Sequence, residues 1–176
     1  MHFDFCITRC CLDVGNIRIV PARENDVPVI LGLIRELAAY ERLAHEVVAT
    51  EADIRDALFG ARPLAEVVLA IGNDHPVGFA LFFHNFSTFR GRPGLYLEDL
   101  FVVPGWRGRG VGRHLLLHLA RIAVSRHCAR MEWSVLHWND PAIGFYQRLG
   151  ATVLEEWRIC RVTGDALTRL AATEGT

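Results

Sequence analysis

The stretch LYLEDLFVVPGWRGRGVGRHLLLHLARIAVSRH, residues 95–127, constrains this chain more than any other. Residues 95–103 are an apolar run of β type, and 111–127 carry apolar residues at the helical period. Between them Gly108, Gly110 and Gly112 stand at alternate positions, interleaved with Arg107 and Arg109. A strand entering a helix through such a loop is an anion-binding arrangement. The first helical N–H groups have no internal partner, and the macrodipole places roughly half a positive charge at that end. Glycine lets the backbone approach a phosphate with no Cβ in the way. The two guanidinium groups add charge-assisted hydrogen bonds. A ligand bearing phosphate or pyrophosphate is therefore expected; the bland alternative is a flexible turn before a helix. Two common phosphate loops do not fit. A P-loop needs Lys-Ser/Thr where Val111 follows Gly110, and the glycines are one residue too tightly spaced for G-x-G-x-x-G, with no βαβ unit upstream.

Around this segment the pattern alternates between helical and strand periods. Residues 16–22 read as a short strand ended by Pro21. Val27, Ile30, Leu31, Ile34, Leu37 and Ala38 give 24–43 a helical face, with Asn25 or Asp26 as its cap. Thr50 and Asp53 resemble a capping box opening a helix over 51–60, stopped by Gly60. Residues 65–71, 77–89 and 95–103 read as three consecutive antiparallel strands, with turns at 72–76 and 91–94. After the long helix, 130–138 predicts a strand and 140–150 a short helix with Pro141 in its first turn and Gly150 past its end. Residues 152–163 predict one or two last strands, and 165–172 a terminal helix. One α+β domain over 16–172 follows, with 1–15 as a loosely ordered extension.

The 176 residues suffice for a proper core, and a 51% hydrophobic composition excludes disorder as the main state. A net charge of −1 offers no general attraction to nucleic acid or to an anionic membrane. The longest apolar runs, such as 77–83, fall far short of the roughly 20 residues of a membrane span. Five cysteines without a secretion signal argue against a disulfide framework. Cys6, Cys10 and Cys11 with His2 match no zinc spacing, so no metal is expected. A cytoplasmic location fits these features.

Glu98 and Asp99 are adjacent carboxylates inside an apolar strand. Strict alternation sends them to opposite faces; a β-bulge would redirect them and splay the strand. Asn139 precedes the helix beginning near Pro141 and is a favoured cap there. Tyr146 lies on the apolar face of AIGFYQRL, where a core tyrosine is the ordinary interpretation.

RGRGVG, residues 107–112, matches the R/Q-x-x-G-x-G/A signature of the GNAT acetyltransferases, and WNDPAIGFYQRLGA, 138–151, resembles that family's other cofactor motif. The similarity runs over residues 16–172. Within the family, LIRELAAYERL, LYLEDLFVVPGWRGRGVG and WNDPAIGFYQRLGA look like their counterparts in the spermidine/spermine (diamine) acetyltransferases and their thialysine-acetylating relatives. The resemblance implies a mixed, mostly antiparallel sheet of six to seven strands flanked by helices and splayed between the fourth and fifth strands. It implies acetyl-CoA as acyl donor, held by Leu100, Phe101, Val102, Arg107, Gly108, Arg109, Gly110, Val111, Gly112, Arg113, Asn139, Ala142 and Tyr146. By the same carry-over Tyr146 is the general acid on the leaving thiolate and Glu98 the base, through a water, for the ammonium. A free tyrosine has a pKa of about 10, so it can donate at neutral pH. Tyr40, Glu41, Glu98, Asp99, Glu132, Glu155 and Glu156 fall near the acceptor-binding positions, where carboxylates and an aromatic face suit a cationic amine. Around ATVLEEWRI the segment is shorter than in the diamine enzymes.

The function expected is acetyl transfer to a primary amine of a small cationic acceptor, polyamine or thialysine-like amino acid, by a homodimer in family analogy. Acetylation of a protein N-terminus or an aminoglycoside is the alternative on the same fold. A CoA-binding regulatory module without turnover is the alternative from a different class.

Overall fold

The computed structural model describes residues 17–173, so the expectations for the N-terminal extension, and for its cysteines, lie outside the described residues. The chain divides after Ser134 into two compact units.

The first unit is a five-stranded mixed sheet in the order β1-β2-β3-β4-β5, with three helices. Its strands are β1 (Ile17–Pro21), β2 (Glu66–Gly72), β3 (His75–Ser87), β4 (Arg92–Val102) and β5 (Met131–Glu132). The first four pair antiparallel and β5 runs parallel to β4. The β2–β3 hairpin turns on Asn73 and Asp74, both at positive φ (49° and 61°), as a two-residue loop of matching twist requires. Helix α1 (Val27–Tyr40) buries Ile30, Leu33 and Leu37, and α2 (Glu51–Phe59) buries Leu58. These pack with Val67, Leu69, Phe79 and Phe101 into one apolar cluster on one side of the sheet. Helix α3 (Val111–Ser125) buries Val111, Leu115, Leu119 and Ala123, a stripe at every fourth residue. The capping box expected at α2 is present: Asp53 N–H donates to Thr50 Oγ1 at 3.3 Å, and Thr50 N–H to Asp53 Oδ2 at 2.8 Å.

The second unit holds α4 (Asp140–Arg148) and α5 (Gly164–Ala172). Gly150, at φ +92°, supplies the left-handed residue that ends α4.

Two strand expectations are corrected. The strand read over 130–138 shrinks to Met131–Glu132, and 152–163 forms no strand among the described residues, so the sheet has five strands instead of six to seven. The reason is physical. A β-type sequence becomes a strand only against a sheet edge that accepts it, and Val153, Leu154, Trp157 and Ile159 are all exposed.

Candidate active site

The expected bulge is there. Along β3 and β4 the pairs run Leu81↔Asp99 and then Phe82↔Leu97, which leaves Glu98 as the extra residue. The consequence is a change of phase. Before the bulge Tyr96 and Gly94 stand opposite Phe83 and Asn85; after it Asp99 and Phe101 stand opposite Leu81 and Phe79. All of these share the sheet face that carries the α1–α2 core. The extra residue thus adds Glu98, exposed, beside Asp99, which stands in line with the apolar cluster.

Asp99 is largely buried, and burial pushes its carboxyl up from the ordinary value to about 6, with repulsion from Glu98 and then Glu41 adding to the shift. Glu41, just past the end of α1, is itself raised by burial. Glu41 past α1 and Glu98 on β4 thus each stand near enough to Asp99 to repel it, and the three form one anionic cluster. A cation is the natural ligand for such a cluster, because it relieves repulsion and desolvation together.

The loop after β4 follows directly. A 3-10 turn, Pro104–Trp106, leads into Arg107, and Gly108 and Gly110 take φ values of +74° and +82°. Only glycine adopts these without strain. Gly110 is the N-cap of α3, and His114 N–H closes the first helical bond to its carbonyl at 3.0 Å. Nothing lies within 4 Å of where a Cβ on Gly108 would sit, so the loop's surface there is open. The ladder between β4 and β5 ends at Tyr96↔Glu132, whereas β4 continues to Val102. Val103 N–H bonds to Val77 across β3, so by alternation the polar groups of Leu100 and Val102 point to the other side, toward the splay. A donor with a pyrophosphate and an amide-bearing arm meets its needs here: helix N–H groups for the first, a strand edge for the second.

The side chains of the loop are less simply arranged. Arg109 lies over the Trp106 ring at 5.0 Å, and that ring packs onto Gly72, where a Cβ would collide with it. Trp106 and Gly72 thereby hold the loop to the β2–β3 hairpin, a role that sequence alone did not show. Arg107 turns inward: Nε donates to the Val102 carbonyl at 3.0 Å and the guanidinium lies 4.5 Å over the Tyr40 ring. It bridges a backbone group expected for the donor and an aromatic face expected for the acceptor. Glu132 is also engaged, accepting from Asn85 Nδ2 at 3.0 Å and from Arg130 Nε at 2.8 Å.

Residues 32–151 match the profile of the acetyltransferase (GNAT) family. The chain belongs to that family. It is 37% identical to the thialysine N-epsilon-acetyltransferase of Mus musculus, over 90% of this chain and 99% of that protein. It is 34% identical to the L-ornithine N5-acetyltransferase of Arabidopsis thaliana, over 85% and 86% of the two chains. An integron cassette protein from the mobile metagenome of V. cholerae superposes with a TM-score of 0.76 at 29% identity, covering 91% of this chain and all of that one. The molecule is an N-acetyltransferase.

In the second unit of this GNAT acetyltransferase, Asn139 stands at the N-cap of α4 but makes no side-chain cap; its carbonyl accepts from Ala142 and Ile143. Tyr146 sits partly buried on α4 beside Phe145, ring centroids 5.2 Å apart. Glu155 and Glu156 form an exposed turn in the stretch between α4 and α5.

Proposed function

We propose that the chain transfers the acetyl group of acetyl-CoA to a primary amine of a small cationic acceptor, a basic amino acid or a polyamine. One observation carries the proposal. Within the continuous run 92–125, a bulged pair of carboxylates is followed at once by an open strand edge and a left-handed glycine loop at a helix N-terminus. An amine-seeking site and an anion-seeking site are thus adjacent in one chain segment. The names of the relatives, which act on thialysine and L-ornithine, agree with such an acceptor.

In this mechanism Gly108 to Arg113 hold the pyrophosphate, and the edge groups of Leu100 and Val102, beside Phe101, bind the pantetheine amides. By family resemblance, Asn139 and Ala142 in α4 are assigned to the donor as well. The donor supplies a thioester carbonyl activated for attack. Tyr40, Glu41 and Asp99 hold the acceptor as its cation. Glu98, exposed and solvated, takes the ammonium proton through a water, and the free amine attacks the carbonyl carbon. As the C–S bond breaks, Tyr146 gives its proton to the thiolate, and the proton lost from the new amide nitrogen returns to Tyr146. Glu132, held by Arg130, borders the acceptor, and Glu155 and Glu156 are assigned to it by family resemblance.

The test is thiol release from acetyl-CoA across a panel of diamines, polyamines, basic amino acids and aminoglycosides, beside calorimetric titration of CoA into wild type and Gly110→Asp. The variant sets a carboxylate and a strained φ against the pyrophosphate and is expected to lose CoA binding while keeping its fold. Unchanged CoA affinity in Gly110→Asp would overturn the loop assignment. Turnover confined to aminoglycosides would overturn the acceptor class.

A further inference from the structure

We infer that Arg130 is a specificity residue: it receives the α-carboxylate of a basic amino-acid acceptor and so sets amino acids above polyamines of equal length. The inference rests on the acetyl-transfer proposal and names its substrate class.

One face of the sheet carries charged groups at both of its ends. Tyr96 is in register with Glu132, and Gly94 stands two residues before Tyr96, as Arg130 stands two before Glu132. By alternation Asp99, Tyr96, Gly94, Glu132 and Arg130 share a face with Phe83 and Asn85. The contacts agree: Asn85 reaches Glu132, the Phe83 and Tyr96 rings lie 5.1 Å apart, and the Arg130 stem lies against Gly94. At one end of this row stands Asp99, with Glu98 and Glu41 near enough to repel it. The other end holds Glu132 with Arg130 bonded to it, a locally neutral pair.

A polyamine lying along the row brings a second ammonium to the end where Arg130 stands. Its charge is matched there by Glu132 only if Arg130 is displaced. A basic amino acid brings an ammonium and a carboxylate side by side, and the pair Glu132–Arg130 is complementary to both. The carboxylate cannot turn the other way, because Glu41 and Asp99 repel it. Counted along β3, which has no extra residue, Asp99 stands two positions from Tyr96, roughly 7 Å, and four from Gly94, roughly 13 Å, a span that an amine with a three- or four-carbon arm and the Arg130 side chain bridge together. Arg130 is 42% exposed and bonds Glu132 through Nε, so the guanidinium is presented to a ligand while its position is fixed. Asn85 fixes Glu132 in turn, and a Cβ at Gly94 would collide with Asn85.

The experiment compares acceptors that differ only in the carboxylate: L-ornithine with 1,4-diaminobutane, and L-lysine with 1,5-diaminopentane. Wild type is expected to favour the amino acid of each pair. Arg130→Gln should lower kcat/KM for the amino acids about 10- to 100-fold, the loss expected for one charged hydrogen bond, mainly through KM. The diamines should hold or gain, and Arg130→Lys should recover part of the amino-acid rate. An equal fall for both members of a pair would show that Arg130 only props Glu132, and an unchanged ratio would show that it reads nothing. Either result overturns the inference while the acetyl-transfer proposal stands. Wild type turning over none of the four amines would take down both. Melting curves of both variants accompany the kinetics, and if Arg130→Gln unfolds, Arg130→Lys carries the ratio test alone.

Discussion

The two units of the chain handle their apolar residues in opposite ways. In the first, the buried hydrophobic side chains run from Ile17 to Ala123, and Phe79, Phe82, Leu115 and Leu119 are fully enclosed. In the second, Val153, Leu154, Trp157, Ile159, Val162, Leu167 and Leu170 are all exposed. Both segments have β-type or amphipathic sequence. The difference is whether a matching surface stands opposite. Hairpins supply it within a few residues for β2 to β4, whereas 149–163 finds no ladder partner among the described residues. Local pattern thus specifies structure only where the chain brings its own second half.

Phe79→Ala is expected to have the largest effect. This ring sits at the centre of the sheet–helix cluster, and its loss should cost about 3–5 kcal/mol in a denaturant melt. A smaller cost would mean that the first unit is loosely packed as well. Next comes Tyr146→Phe, which removes only a hydroxyl in the second unit. It should leave melting and CoA affinity in place while kcat falls by about 10²-fold, the lower end for a well-placed acid. Near-full kcat would show that the second unit supplies no acid.

Asp99→Asn is expected to follow, and its sign depends on pH. In the unfolded chain the carboxyl ionises near its ordinary value, and in the fold only at about 6. Stability from this group is present at low pH and is lost as pH rises from about 4 through 6. The amide removes that loss. Asp99→Asn should therefore raise stability at pH 8, on the order of 2 kcal/mol, and give nothing at pH 4, while weakening amine binding. A gain at pH 4 equal to that at pH 8 would assign the effect to packing. The smallest effect belongs to Trp157→Ala. A side chain 74% exposed should shift stability by less than about 0.5 kcal/mol. A large loss would mean that this ring is covered in solution.

What the sequence showed, and what it hid, follow the same division. The glycine loop was legible because its chemistry is contiguous: three glycines, two arginines and a helix start lie within seven residues. The bulge was legible because two adjacent carboxylates in an apolar strand have no comfortable alternation. The capping box at Thr50 and Asp53 is equally local. By contrast, the Asn85–Glu132 bond joins residues 47 apart and depends on a parallel register that only the fold sets. The inward turn of Arg107 onto Tyr40 was hidden for the same reason. Strands were over-read at 130–138 and 152–163 because β propensity measures fit to a neighbour that those segments lack.

The bulge also has an evolutionary aspect. Without Glu98, Leu97 and Asp99 would alternate regularly and every other pair between β3 and β4 would keep its partner. A single added codon is therefore enough to install this acid in a finished sheet. The addition shifts no core residue from one face to the other. Chemistry can be gained or discarded at this place by insertion or deletion, leaving the architecture to drift at its own pace.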